Sequence, residues 1–131
     1  MNVSQAAQRS GLTAKALRYY ESIGLLSPGR AENGYRDYSE RDLETLRFIQ
    51  RARATGFSID EVRDLLELHR NPVRRSHDAK QLVQEKLTRV EEQLRILREM
   101  RASLRSLADS CAGNESPECA ILDNLSGGPR D

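Results

Sequence analysis

The sequence predicts a mainly α-helical protein built as a winged helix-turn-helix followed by one long helix and a short turn-rich end. Three observations predict it. Two short helical segments flank a turn at Gly11. An Asn33-Gly34 step sits between two short polar segments, GRAE and YRDY. Residues 76–110 hold neither glycine nor proline and carry apolar residues at a sustained alternating spacing of four and three.

In the first helix, Ser4 is the expected cap, Val3, Ala6 and Ala7 face inward, and Gly11 ends it. Thr13 is the expected N-cap of the second, because a threonine hydroxyl accepts one of the orphan backbone N–H groups of a first turn. Leu12 and Leu17 occupy the two positions of a hydrophobic staple. The second helix, AKALRYYESI, stops at Gly24. Two short helices around such a turn make a helix-turn-helix. Asn-Gly is a strong hairpin signal, expected here as a type I′ turn with positive φ at both central residues. Its flanks are too short and polar for a core sheet, so the hairpin reads as an exposed wing.

Ser39 to Asp42 and Ser58 to Glu61 are capping-box patterns. Leu43, Leu46, Ile49 and Ala52 form one apolar face up to Gly56, and Val62, Leu65, Leu66 and Leu68 form another before Asn71-Pro72 breaks the chain. In the long segment, Val83, Leu87, Val90, Leu94, Leu97, Arg101, Leu104 and Ala108 line one seam, with Arg101 the one charged member. Such a helix would be about 50 Å long. A seam of that length calls for a partner helix, most simply its own copy in a homodimer; the plainer alternative is a helix folded back on its own domain. The division expected is 1–70 for the winged domain, 71–110 for linker and dimerisation helix, and 111–131 for a C-terminal loop and tail. Within that tail AILDNL can form one or two helical turns and SGGPRD is expected to fray.

Composition narrows the function. Charged residues make up 31% of 131 residues and the net charge is +1, which suits long solvated helical faces rather than a large core. The charge is uneven. Residues 1–56 carry nine Lys/Arg against six Asp/Glu, and residues 76–131 carry eight against ten. A basic front half permits a polyanionic partner. No secretory signal and no membrane-spanning run is read, so a cytoplasmic protein without a membrane partner is expected. No catalytic triad and no phosphate-cradling glycine loop can be assembled, so no enzyme is expected.

Two constellations remain. The first is basic and aromatic. Thr13, at the start of the second helix, and Lys15, Arg18, Tyr19 and Tyr20 on it are candidate DNA contacts, because the early residues of that helix reach base edges and phosphates in a helix-turn-helix. Arg30, Tyr35, Arg36 and Tyr38 on the wing suit phosphate contacts. Arg47, Arg51 and Arg53 add a third basic element. Together these point to double-stranded DNA, with one tyrosine of the Tyr19-Tyr20 pair free to pack inward instead.

The second constellation is CAGNESPEC, which holds the chain's two cysteines, Cys111 and Cys119, around Gly113 and Pro117. Soft thiolates select ions such as Cu(I), whereas structural zinc takes four ligands, typically with spacings such as C-x2-C. Asp109, Glu115, Glu118 and the distant His77 are the nearest further donors, and none completes a zinc spacing. A monovalent soft ion is the favoured reading. A redox-sensing disulfide and two unrelated thiols remain the alternatives. His69 and His77 read as surface or cap residues.

The blocks VSQAAQRSGLTAKALRYYESIGLL, ENGYRDYSERDL and FIQRARATGFSIDEV resemble the MerR family of transcription regulators, and CAGNESPECAILDNLSG resembles the metal loop of its copper-efflux (CueR-like) subgroup. The resemblance implies an antiparallel coiled-coil dimer. It implies a pseudo-palindromic promoter whose polymerase-recognition elements lie too far apart, and an action on RNA polymerase only through that DNA. It also implies one Cu(I), Ag(I) or Au(I) per chain on Cys111 and Cys119, and DNA contacts at Lys15, Arg18, Tyr20, Tyr35, Arg36 and Arg53. Ser76, with its neighbour His77, stands where divalent sensors of the family resemble one another in having a cysteine, and so is expected to govern metal selectivity from outside the ligand pair. Ala112 and Ala120 stand where copper regulators often have proline, and Pro117 precedes the second cysteine. This pattern is similar to gold-responsive relatives and keeps a gold-selective regulator among the readings.

Overall fold

The computed structural model describes residues 1–127. The expected fraying of SGGPRD falls largely on residues 128–131, outside the described residues. The order is α1 (Val3–Ser10), α2 (Ala14–Ser22), β1 (Gly29–Arg30), β2 (Arg36–Asp37), α3 (Glu40–Thr55), α4 (Ile59–Arg70), α5 (Ser76–Ser110) and α6 (Ala120–Leu125). The chain divides into two compact units, Met1–Val83 and Gln84 onward.

In the first unit α1 packs on α2 and α3, and α3 packs on α4. Ala6, Ala7, Leu17, Leu46, Ile49, Phe57, Val62 and Leu66 form the centre of its core. Helix ends follow the local chemistry. Thr13 caps α2 by accepting from the Ala16 N–H at 3.0 Å. Ser39 with Asp42 and Ser58 with Glu61 form full capping boxes; losing one such cap costs about 1 kcal/mol. At α1 the expectation of Ser4 is corrected. Asn2 is the cap, and it shares a capping box with Gln5. Asn2 outranks Ser4 because its amide oxygen lies one residue before the first helical turn, where the unpaired N–H groups point.

α4 also secures the exit of α2. Arg63 donates to the Ile23 carbonyl at 2.6 Å, and Arg70 to the Leu25 carbonyl at 3.2 Å. These carbonyls lie where a helix end leaves acceptors unpaired.

The wing is an antiparallel pair with Gly29 opposite Asp37 and Arg30 opposite Arg36. Its turn is not type I′. Only Gly34 has positive φ, at 83°. The Gly34 N–H donates to the Ala31 carbonyl and the Ala31 N–H to the Tyr35 carbonyl. The loop is thus three residues long, a type I turn closed by a left-handed glycine. Asn33 is freed from the left-handed region and its side chain accepts from the Tyr35 N–H at 3.1 Å.

α5 is one continuous helix of 35 residues. None of its side chains is buried. Val83, Leu87, Val90, Leu94, Leu97 and Leu104 are all 36–62% exposed, so the seam read from the sequence is not covered by the described residues. No helix among the described residues is long and apolar enough to cross a membrane.

Candidate functional site

The second helix of the helix-turn-helix exposes Thr13, Lys15, Arg18 and Tyr19. Lys15 and Arg18 are three apart and so share a helical face. Tyr19 is 50% exposed, whereas Tyr20 is buried in the core beside it, their ring centroids 5.8 Å apart. The pair therefore splits: Tyr19 is the tyrosine on the surface, and Tyr20 is chiefly packing.

On the wing, Arg30 and Tyr35 are exposed and Arg36 is half-buried. Tyr38 is not on this surface. It is 1% exposed and its hydroxyl has no hydrogen-bond partner among the described residues. The expectation of a phosphate contact from Tyr38 is corrected: β2 ends at Asp37, and the pleat turns the next side chain into the core. Burial, reinforced by the Glu21 carboxylate, pushes its phenol above the ordinary value. Arg53 is exposed at the end of α3 and donates to the Phe57 carbonyl at 3.1 Å, which fixes its guanidinium near the Gly56 turn.

One residue joins these basic elements that the sequence reading did not single out. Glu21, near the end of α2, accepts from Arg36 Nε and lies 3.8 Å from a terminal nitrogen of Arg30. A glutamate after two tyrosines carries no signal of its own. Only the cross-strand register, which sets Arg30 opposite Arg36, brings both arginines to it.

In the second unit Cys111 Sγ and Cys119 Sγ lie 3.6 Å apart, and both thiols are free. The loop between them is closed by its own polar groups. Gly113 takes a left-handed φ of 66°. The Asn114 side chain accepts from the Ser116 N–H at 2.9 Å, and the Ser116 hydroxyl accepts from the Glu118 N–H at 3.3 Å. Cys119 then occupies the N-cap of α6. There the backbone N–H of Leu122, then the Cys111 thiol and the N–H of Ile121, favour the thiolate and hold the Cys119 thiol below its ordinary value against desolvation and the Asp123 carboxylate. Leu107, Cys111, Cys119 and Ile121 are half-buried in this unit.

Among the described residues, no group of three or more His, Cys, Asp or Glu side chains could hold an ion. Asp109, Glu115, Glu118 and His77 therefore do not complete a ligand set with the thiols. His77 instead sits 3.4 Å from Asp78, which also accepts from Arg75 at 3.1 Å. Ser76 is exposed as the first residue of α5. The donor chemistry present is thus a thiol pair, which fits a soft ion content with two ligands.

A winged helix-turn-helix with basic residues on its second helix and wing, followed by a long helix and a dithiol loop, defines a DNA-binding regulator. The chain belongs to the MerR family: it matches the MerR HTH family regulatory protein over residues 1–68 and the MerR DNA-binding family over residues 43–107. It is 48% identical to the HTH-type transcriptional regulator HmrR of Rhizobium leguminosarum bv. viciae, over 98% of this chain and 99% of that protein. It is 44% identical to the HTH-type transcriptional regulator CueR of Salmonella typhimurium, over 97% of this chain and 93% of that protein. Among solved structures, the transcription regulator PbrR691 of Ralstonia metallidurans in complex with lead(II) superposes with a TM-score of 0.87. That pair is 34% identical and covers 95% of this chain and 98% of that one. The family is one of DNA-binding transcription regulators, not of enzymes.

Proposed function

We propose that the chain is a metal-responsive transcription regulator that activates promoters of copper, silver or gold resistance. The observation that carries this reading is the Cys111–Cys119 pair, with sulfurs 3.6 Å apart and no third donor grouped with them among the described residues. Similarity to CueR, and to a regulator solved with lead(II), supports a metal as the signal. The two-donor set favours a monovalent soft ion, one per chain. Such an ion would supply a link between the two sulfurs that fixes the loop and α6.

A bis-thiolate site carries net negative charge, and burying it alone would be costly. The Leu122 and Ile121 N–H groups, which favour the Cys119 thiolate, offset that charge. They would do less for a divalent ion, which needs more anionic ligands.

The exposed seam of α5 favours a homodimer that spans two half-sites of a pseudo-palindromic promoter. Occupancy of the thiol pair then shifts the population between two dimer shapes. In one of them, contacts from the winged domains to the DNA backbone bend and untwist an over-long spacer, so that RNA polymerase can engage it. Lys15, Arg18, Tyr19, Arg30, Tyr35, Arg36 and Arg53 are the side chains proposed to make those contacts.

A second reading rests on the same sulfur contact. Two free thiols at 3.6 Å can close to a disulfide by passing two electrons and two protons to an oxidant, making the loop a redox switch. An anaerobic Cu(I) titration of the reduced protein against a competing Cu(I) chelator separates the two. One Cu(I) bound per chain, lost in Cys111→Ser, supports the metal reading. No competitive binding sinks it and leaves the disulfide.

A further inference from the structure

We propose that Glu21 is a positioning residue for DNA recognition, a carboxylate on the second helix that aims the wing arginines at the phosphate backbone. The inference rests on the reading that Arg36 contacts DNA. Glu21 is only 19% exposed at its side chain, Arg36 is 36% exposed and Arg30 is 53% exposed. The pair between Glu21 and Arg36 is therefore partly shielded from solvent and held more firmly than a surface ion pair.

The atoms used are informative. Arg36 gives its Nε–H to Glu21 Oε2. A guanidinium has five N–H donors in a rigid plane, four of them on the two terminal nitrogens. With Nε anchored, the terminal fork is fixed in direction and carries no described hydrogen bond of its own. That is the edge which binds a phosphate through two parallel hydrogen bonds. Arg30, directly opposite on β1, approaches the other oxygen of the same carboxylate at 3.8 Å. One side chain of α2 thus ties both strands of the wing to the helix that enters the major groove. It fixes the spacing between the two elements that must meet the DNA together.

The proposal predicts an effect of unexpected sign. By charge alone, removing a carboxylate near a polyanion strengthens binding. As a positioning residue, Glu21 strengthens binding through Arg36, so its loss weakens it.

The test uses the full-length dimer and a duplex selected by the wild-type protein from a randomised pool, with affinity measured across salt concentrations. Glu21→Gln keeps the shape and removes the charge. It is expected to weaken binding roughly tenfold, the scale of one lost charge-assisted hydrogen bond, with thermal unfolding little changed. In an Arg36→Ala background the same substitution is expected to leave affinity unchanged or raise it. Arg36→Lys keeps the charge but has no Nε to anchor, and is expected to weaken binding to a similar extent, which keeps the test sound should Glu21→Gln fold poorly. Tighter binding by Glu21→Gln, or wild-type affinity for Arg36→Lys, overturns the positioning role. Wild-type affinity and salt dependence for Arg36→Ala would instead remove Arg36 from the DNA interface, a failure of the underlying reading; weakened binding by Arg36→Ala together with either of those outcomes assigns the failure to the positioning role alone.

Discussion

Cys111 Sγ and Cys119 Sγ lie 3.6 Å apart across a loop that its own Asn114 and Ser116 side chains hold closed. Because no other donor group stands with them among the described residues, neither thiol has a substitute. Cys119→Ser is therefore expected to abolish competitive Cu(I) binding as fully as Cys111→Ser does. Affinity for DNA without metal should be retained in both variants. Parallel chelator competition and gel-shift titrations check this; residual tight Cu(I) binding by either variant would show a ligand outside the pair.

Ser76 opens α5 and is exposed. If it faces the partner's loop in the dimer, a thiolate there supplies the third anionic ligand that a divalent ion lacks here. Ser76→Cys is expected to raise Zn(II) or Hg(II) affinity by at least tenfold, measured by competition with a chromophoric chelator. A variant that still ignores both ions removes the main support for the account of selectivity given above.

The seam of α5 is exposed along its length, with Leu94 44% and Leu97 58% accessible. In a dimer each such leucine is buried twice, once per copy. Leu94→Ala is expected to weaken dimerisation by about 4–8 kcal/mol, two losses of about 2–4 kcal/mol each. Leu94→Asp should give monomers at micromolar concentration in sedimentation velocity. Unchanged sedimentation of the aspartate variant would mean that the seam faces something other than a second copy.

Tyr38 is 1% exposed and its hydroxyl has no partner among the described residues. An unsatisfied buried hydroxyl costs about 1–3 kcal/mol. Tyr38→Phe is thus expected to leave DNA affinity unchanged and raise stability by about 1 kcal/mol, read by chemical denaturation. A loss of DNA affinity would return Tyr38 to the interface.

Ser58 caps α4 in a reciprocal box with Glu61. Ser58→Ala is expected to lower stability by about 1 kcal/mol, with a fall in melting temperature of several degrees. Metal binding, proposed for the two thiols of the other compact unit, should be unaffected.

Much of this architecture was legible because it rests on local chemistry. Thr13, Ser39 and Ser58 cap helices through hydrogen bonds closed within three residues, so the sequence contains both partners. The glycine-free, proline-free run from Ser76 to Ser110 emerged as one helix with the same ends. The Asn33-Gly34 step marked the hairpin, but its turn type depended on which strand residues paired. That register, Arg30 opposite Arg36, is a tertiary outcome. Asn2 and Ser4 are both capping residues, and choosing between them required knowing where the first helical hydrogen bond fell.

By itself the sequence determined the helices, the wing, the apolar seam and the presence of two thiols at a bend, because each depends on residues close in the chain. Only the tertiary structure decided which tyrosines face outward and which are core, since both kinds lie in the same basic segments. It brought Glu21 between Arg30 and Arg36, residues nine and fifteen positions away. And it closed CAGNESPEC to a 3.6 Å contact, because the path of an eight-residue separation is set by the loop's own hydrogen bonds, not by spacing.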